Sequence, residues 1–312
     1  MSGRLVLLSP DLRYGRGTGH LMRCLEIASR RPDRYVLHIP HPPARGNRSL
    51  EELTHLDGLD TARVDSRPAP WPDYEAVVYD RRSAEAVELC EQSISVGVDL
   101  GGRARAIADY LLDSLPVPQT FERPNRFVSG LRSAPHRRRA APDEIRSVLL
   151  SFGGEDPADL TGTLATRLRR AFRALHVTLV KGPANDTSMP TGFDVLVAPS
   201  NLKEHLADYD LVVTSFGLTA FEALAAGCAV VTFNPTRYHE ALSRIAGFAS
   251  IGVRRPKLRR LARLLEQPAS LTEQSVAARS KHGPDLYGEM GESLDQVIDQ
   301  MPFTCPPSSP VT

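Results

Sequence analysis

Short apolar runs separated by longer amphipathic stretches repeat along most of this 312-residue chain. RLVLLS (4–9), YVLHI (35–39), AVVYD (76–80) and SISVGVD (93–99) carry apolar residues in unbroken succession. A strand with one solvated face alternates apolar and polar positions, so an unbroken run marks a strand buried on both faces. Between such runs stand helical patterns, HLMRCLEIASR (20–30) and RSAEAVELCEQ (82–92). Strand–helix alternation predicts a parallel sheet with helices on both sides. The rhythm stops between 113 and 145. LPVPQTFERPNRF (115–127) is proline-rich and SAPHRRRAAPDE (133–144) is basic with two prolines, which excludes a helix interior or a central strand. It restarts with SVLLSFGG (147–154), the helical PADLTGTLATRLRRAFRA (157–174), HVTLVKG (176–182), FDVLVAP (193–199), the helical NLKEHLADYD (201–210), LVVTSFG (211–217), the helical LTAFEALAAG (218–227) and AVVTFN (229–234). KLRRLARLLEQ (257–267) and YGEMGESLDQVIDQM (287–301) read as helices, and CPPSSPVT (305–312) has the composition of a disordered end. We therefore expect one α/β domain over 1–140, a second over 141–300, and a disordered tail over 301–312.

Composition narrows the function classes. With 38 basic and 37 acidic residues the formal net charge is +1, a balance that argues against nucleic-acid binding and against adhesion to anionic membrane. The basic cluster RRPKLRR (254–260) reads as a solvated helix face. Cys24, Cys90, Cys228 and Cys305 are scattered without a CxxC pair, so neither a zinc ribbon nor a disulfide framework is indicated and a reducing cytoplasm fits. No apolar run approaches the ~18 residues of a membrane span, so no membrane insertion is expected. The aromatic WPDYEAVVY (71–79) reads as core.

Two turns carry candidate chemistry. GRGTGH (15–20) follows the first strand and opens a helix, putting Gly15, Gly17 and Gly19 where the backbone turns tightly and approaches something closely. The free N–H groups at that helix start favour an anion. The spacing is not the dinucleotide fingerprint G-x-G-x-x-G, and the second strand ends HIPHPP without the acidic residue that a ribose would need. His20 then sits at the carboxyl edge of the first strand, where open α/β sheets bind ligands. Local spacing alone leaves a helix-capping and a catalytic histidine equally open. In the second half, Gly153 and Gly154 of SFGGEDP (151–157) follow a strand. Ser215, Phe216, Gly217, Leu218 and Thr219 form a small-residue turn at a helix start able to hold a diphosphate. Glu222 falls one turn later, where a carboxylate can accept from vicinal ribose hydroxyls. No P-loop is present, which disfavours ATP hydrolysis.

Taken together, GTGHLMRCLEIA (17–28), SFGGEDP (151–157) and SFGLTAFEALAAGCAVVTF (215–233) resemble the GT-B glycosyltransferases. The likeness spans roughly residues 4–250. Within that superfamily it is nearest to the UDP-sugar hydrolases of pseudaminic acid biosynthesis and the related spore-coat-polysaccharide proteins, with the lipid II-forming GlcNAc transferases more distant. The first motif is specific to this group; the last is shared across GT-B enzymes. SVGVDLGGRARAIADYLLD (95–113) resembles the hydrolases' segment with an aspartate pair, of which only Asp99 is present. The resemblance implies an α/β fold of GT-B type, two Rossmann-like domains whose parallel sheets face each other across a cleft.

It also implies function. The nucleotide, UDP by resemblance, would lie on the second domain, with its diphosphate at Ser215–Thr219 and its ribose on Glu222. Gly17, Thr18, Gly19, His20, Arg23 and Asp99 would reach the sugar from the first. His20 would position or deprotonate an attacking water or hydroxyl, as an imidazole does near neutrality, and helix-end N–H groups would stabilise the departing diphosphate. No metal or other cofactor is implied, and the oligomeric state is left open. Two elements depart from the family pattern. NPTRYHEALSRIAG (234–247) replaces the usual Asn-Gln pair, placing Arg237, Tyr238 or His239 at the sugar. SGLRSAPHRRRAAP (129–142) stands where a Tyr-Leu-Arg element is usual. The leading expectation is a cytoplasmic nucleotide-sugar hydrolase of surface-glycan precursor biosynthesis. The alternatives are a transferase using a sugar, lipid or protein acceptor, and a non-catalytic nucleotide-sugar-binding relic.

Overall fold

The computed structural model describes residues 5–14, 18–54, 56, 58–68, 71, 73–82, 89, 93–113, 143–199, 202–281, 294–296 and 298–299. Two six-stranded sheets organise them. In chain order the first comprises β1 (Val6–Pro10), β2 (Tyr35–His38), β3 (Arg63–Asp65), β4 (Ala76–Asp80), β5 (Ile94–Val98) and β6 (Tyr110–Leu112). The second comprises β7 (Ser147–Ser151), β8 (His176–Lys181), β9 (Asp194–Val197), β10 (Leu211–Thr214), β11 (Ala229–Asn234) and β12 (Ala249–Val253). Every pairing is parallel.

The spatial orders are β3-β2-β1-β4-β5-β6 and β12-β11-β10-β7-β8-β9. Numbered within its own half, each sheet has the 3-2-1-4-5-6 order of the doubly wound fold. Such a sheet reverses direction between its first and fourth strands, and the crevice outside their carboxyl ends is its binding site. The reversals fall between β1 and β4, and between β7 and β10. All of the glycine turns singled out in the sequence leave β1, β7 or β10.

The unbroken apolar runs have the predicted cause. Val6, Leu8, Val78 and Val96 pack on one face of the first sheet, and Leu7, Val77 and Tyr79 on the other. In the second sheet Val148, Leu150 and Val213 face one layer, and Leu149, Val212 and Val230 the other. Trp71 and Tyr74 are buried in the first half, as core. The helices α1 (Gly19–Arg30), α2 (Leu50–Leu53), α3 (Ala104–Ile107), α4 (Leu160–Ala171), α5 (Leu202–His205), α6 (Leu218–Ala226), α7 (Arg237–Ala246), α8 (Leu258–Leu265) and α9 (Pro268–Lys281) fill the connections.

The alternation did not single out β3, β6, β12, α7 or α9. β3 and β6 are three-residue edge strands, too short to carry a pattern. Near its end the chain returns to the first sheet. Leu294 and Ile298 are fully buried in that sheet's core, while Asp295 accepts from the Tyr35 hydroxyl at 2.6 Å and pairs with Arg34 at 2.9 Å. The expected helix 82–92, the basic segment 133–142, Cys90, Cys305 and the tail 301–312 lie wholly or mostly outside the described residues. Among the described residues no helix is long and apolar enough to cross a membrane.

Candidate functional site

The carboxyl ends of β1 and β4 build one wall of a cleft. Pro10 pairs with Asp80, so the turn leaving β1 starts α1 directly over the last residue of β4. His20 Nδ1 lies 2.5 Å from Asp80 Oδ1. One helical turn later Arg23 reaches the same carboxylate, Nε to Oδ2 at 2.7 Å and Nη2 to Oδ1 at 2.5 Å. Its Nη1 pairs with Asp99 at 2.8 Å. His20, Arg23, Asp80 and Asp99 are all buried. Burial alone would push the Asp80 carboxyl up, but the Arg23 charge and then His20 overcome it and hold the group far below the carboxylate range. An ionised Asp80 can only accept, so Nδ1 of His20 carries a proton, and whenever the ring is neutral its lone pair is on Nε2. His20 lines the cleft. The arrangement orients the imidazole from behind and fixes which nitrogen meets the carboxylate.

Asp80 is absent from the sequence-level candidates. The signal was an aspartate ending a buried strand at a sheet's carboxyl edge, the same reasoning that singled out His20. Asp99 does not line the cleft; it pairs with Arg23 and its charge also reaches Arg82, both of which do. Gly17 lies outside the described residues, whereas Thr18 and Gly19 line the cavity.

The second wall is the start of α6. Its N-cap, Gly217, supplies no side-chain hydrogen bond, so the first-turn N–H groups face the cavity without a capping side chain. A methyl added at Gly217 would meet nothing within 4 Å. Ser215, Gly217, Leu218 and Thr219 line the space. Phe216 contributes backbone there; its ring packs edge-on against Phe221 and Phe248 in the core. Glu222 faces the cavity one turn into α6, with Lys203 Nζ 3.4 Å away. Burial raises the Glu222 pKa, which the Lys203 charge partly offsets.

After β7, Gly153 adopts φ +83°, a left-handed conformation suited to glycine. A methyl at Gly154 would collide with Thr18 Oγ1 of the opposite wall. This glycine is one of the points where the two halves touch. Asp156 accepts from Leu160 N and Thr161 N at 2.9 and 2.8 Å and so starts α4. Of the three candidates on α7, His239 lines the cavity, whereas Arg237 and Tyr238 are exposed outside its lining. Arg82, two residues past Asp80, approaches His239 Nε2 at 3.4 Å from across the cleft. Arg82 and Lys203 were not sequence-level candidates.

The cavity so enclosed measures about 760 Å³, within the ~300–1,000 Å³ usual for small-molecule sites. Among the described residues no group of three or more His, Cys, Asp or Glu could hold a metal ion. Solved structures share the fold. MurG from Acinetobacter baumannii aligns over 96% of this chain and 100% of its own, with a TM-score of 0.63 at 14% identity. The spinosyn rhamnosyltransferase SpnG complexed with thymidine diphosphate aligns over 95% and 100%, with a TM-score of 0.62 at 13% identity. SnogD, a glycosyltransferase from Streptomyces nogalater, aligns over 96% and 99%, with a TM-score of 0.58 at 13% identity. The chain has the GT-B fold.

Sequence comparison reaches less far than the GT-B fold does. No family model matches the chain. An uncharacterized protein of Methanocaldococcus jannaschii, MJ1062, is 31% identical over 104 residues, 30% of this chain. The match spans 22% of that relative's length. In GT-B terms, the Asp80–His20 wall belongs to the first sheet and the α6 wall to the second, facing each other across the cleft.

Proposed function

We propose that the protein transfers the sugar of a nucleotide sugar, UDP-linked by the sequence resemblance, to an acceptor hydroxyl. The observation that carries this reading is the opposition of the two walls: a histidine whose Nδ1 is occupied by a buried aspartate, facing an uncapped helix start in one cavity. The diphosphate sits at the N–H groups of Leu218 and Thr219, and the ribose hydroxyls donate to Glu222. Nε2 of His20 takes the proton of the acceptor hydroxyl as its oxygen attacks the anomeric carbon. The bond from that carbon to the β-phosphate oxygen breaks, its electron pair leaves with the nucleoside diphosphate, and the helix end stabilises the charge. Similarity to transferase structures over nearly the whole chain supports transfer. The likeness of the 17–28 turn to sugar hydrolases supports a second reading, with water in the place of the acceptor. Either would belong to a cytoplasmic enzyme of surface-glycan precursor synthesis.

Titration calorimetry with UDP, TDP, CDP and GDP tests the nucleotide site. UDP is expected to bind saturably, and Glu222→Ala to weaken it by roughly 1–3 kcal/mol, the scale for hydrogen bonds to a charged group. Incubation with the sugar conjugate, followed by NMR, then separates the acceptors: free sugar without added acceptor means hydrolysis. His20→Ala is expected to stop turnover with nucleotide affinity retained. Failure of every nucleotide to bind would overturn the proposal.

A further inference from the structure

Most of the cavity's charges are paired. Among its lining carboxylates, Glu26 and Glu222 share Lys203 at 3.6 and 3.4 Å, Glu155 pairs with Arg48, Asp295 takes Arg31, and Asp156 is held by backbone N–H groups. Behind the wall, Asp80 and Asp99 are both engaged by Arg23. Two lining guanidiniums are left without a carboxylate among the described residues. Arg254 donates its Nε to the Pro235 carbonyl at 3.0 Å. Arg82 Nη1 meets His239 Nε2 at 3.4 Å, and the carboxylates whose charge it feels, Asp99 and Asp80, are the two already engaged by Arg23. That contact requires a neutral His239 with Nδ1 protonated, and its Nδ1 is 2.7 Å from Thr236 Oγ1. A part-buried guanidinium that faces a neutral ring and shares the charges of Asp99 and Asp80 with Arg23 has no carboxylate of its own. It is a good receptor for an anion.

The position of Arg82 says which anion. It is rooted in the first sheet two residues past Asp80, beside the residue that fixes His20, and its tip touches α7. The diphosphate, on the reading above, is held on the other wall by α6. We infer that the sugar itself is acidic, carrying a carboxylate that Arg82 binds on the α7 side of the cleft. This rests on the proposed nucleotide-sugar function and goes further by naming the substrate class. A planar guanidinium matches a carboxylate with two parallel hydrogen bonds, and a neutral sugar would leave Arg82 without a carboxylate of its own.

Calorimetric titration of the intact protein with UDP, UDP-glucose, UDP-glucuronic acid and UDP-galacturonic acid tests this. At least one uronic acid conjugate is expected to bind roughly 30-fold or more tightly than UDP-glucose, the scale of a desolvated charge pair. Arg82→Gln is expected to erase that preference and leave UDP affinity unchanged; Arg82→Lys is expected to keep part of it. If UDP binds but neither acid is preferred, the inference is overturned while the nucleotide-sugar reading stands. An equal loss of bare UDP affinity in Arg82→Gln also overturns it, assigning Arg82 to the diphosphate. If no nucleotide binds, the functional reading fails first and takes this one with it. The preference of the unaltered protein needs no variant, so a misfolded substitution does not obscure the result.

Discussion

A single carboxylate decides what His20 can do. Asp80 accepts from both His20 and Arg23, and a carboxamide in its place could offer an N–H to Nδ1 and invert the tautomer. Asp80→Asn is therefore expected to lower kcat by roughly 10²–10⁴-fold, the range for a positioned acid–base group, with nucleotide affinity nearly unchanged. It would also leave Arg23 half-paired in the interior, at a stability cost of about 3–5 kcal/mol. Steady-state kinetics beside a nucleotide titration separates the two effects. Full turnover in a folded Asp80→Asn protein would remove His20 from proton transfer. His20 was legible in the sequence because it closes a glycine turn at a strand end. Asp80 was not, although AVVYD was read correctly as a strand, because its partner lies 60 positions away and only the β1–β4 pairing brings them together.

At the level of elements, the buried strands were the most legible features. Parallel strands covered on both faces cannot hide their composition, so β1, β4, β7, β10 and β11 stand out as apolar runs. α7 did not stand out, and its register at the sugar stayed open among Arg237, Tyr238 and His239. The cap decides which of the three faces the cleft. Thr236 accepts from His239 N at 3.3 Å, which starts the helix so that His239 faces the cleft and its two predecessors face solvent. The glycine turns were legible as turns, but their individual duties were not. Gly217 faces open cavity, whereas Gly154 faces the side chain of Thr18 on the other half of the molecule. Gly154→Ala is accordingly expected to act on closure rather than on local folding. Overpacking at that contact costs on the order of 1–3 kcal/mol, visible as weaker sugar-conjugate binding with bare nucleotide affinity retained. Thr18→Ala in the same chain removes the colliding atoms and should restore most of the loss. If the double variant binds as poorly as the single one, the Thr18 contact is not the cause.

The two halves of the molecule are also joined by charge, and that joint runs through the proposed nucleotide site. Lys203, on α5 of the second half, spans Glu26 on α1 of the first half and Glu222 on α6. Neither distance was accessible from sequence, where Lys203 and Glu26 are unremarkable charges on helices and Glu222 stands out only by following the glycine turn. Burial raises the Glu222 pKa, Lys203 pulls it partly back, and Glu26 pushes it further up. The sign for stability follows from linkage. A carboxyl whose folded pKa is raised stabilises the fold below its unfolded value and loses that contribution as pH rises through the folded one. Nucleotide binding runs the other way. Only the carboxylate accepts from both ribose hydroxyls, so affinity is expected to fall as pH drops through the raised pKa, at a higher pH than an ordinary glutamate would give. Lys203→Met removes the charge that holds this pKa down. The acid limb of nucleotide binding is then expected to move to higher pH, while affinity on the alkaline plateau changes little. Titrating UDP from pH 4 to 8, a span of about four units around the usual carboxylate and histidine ranges, checks both statements in the native and Lys203→Met proteins. An acid limb unmoved by Lys203→Met would detach Lys203 from the site's electrostatics, and a limb absent from both proteins would detach Glu222 from the ribose.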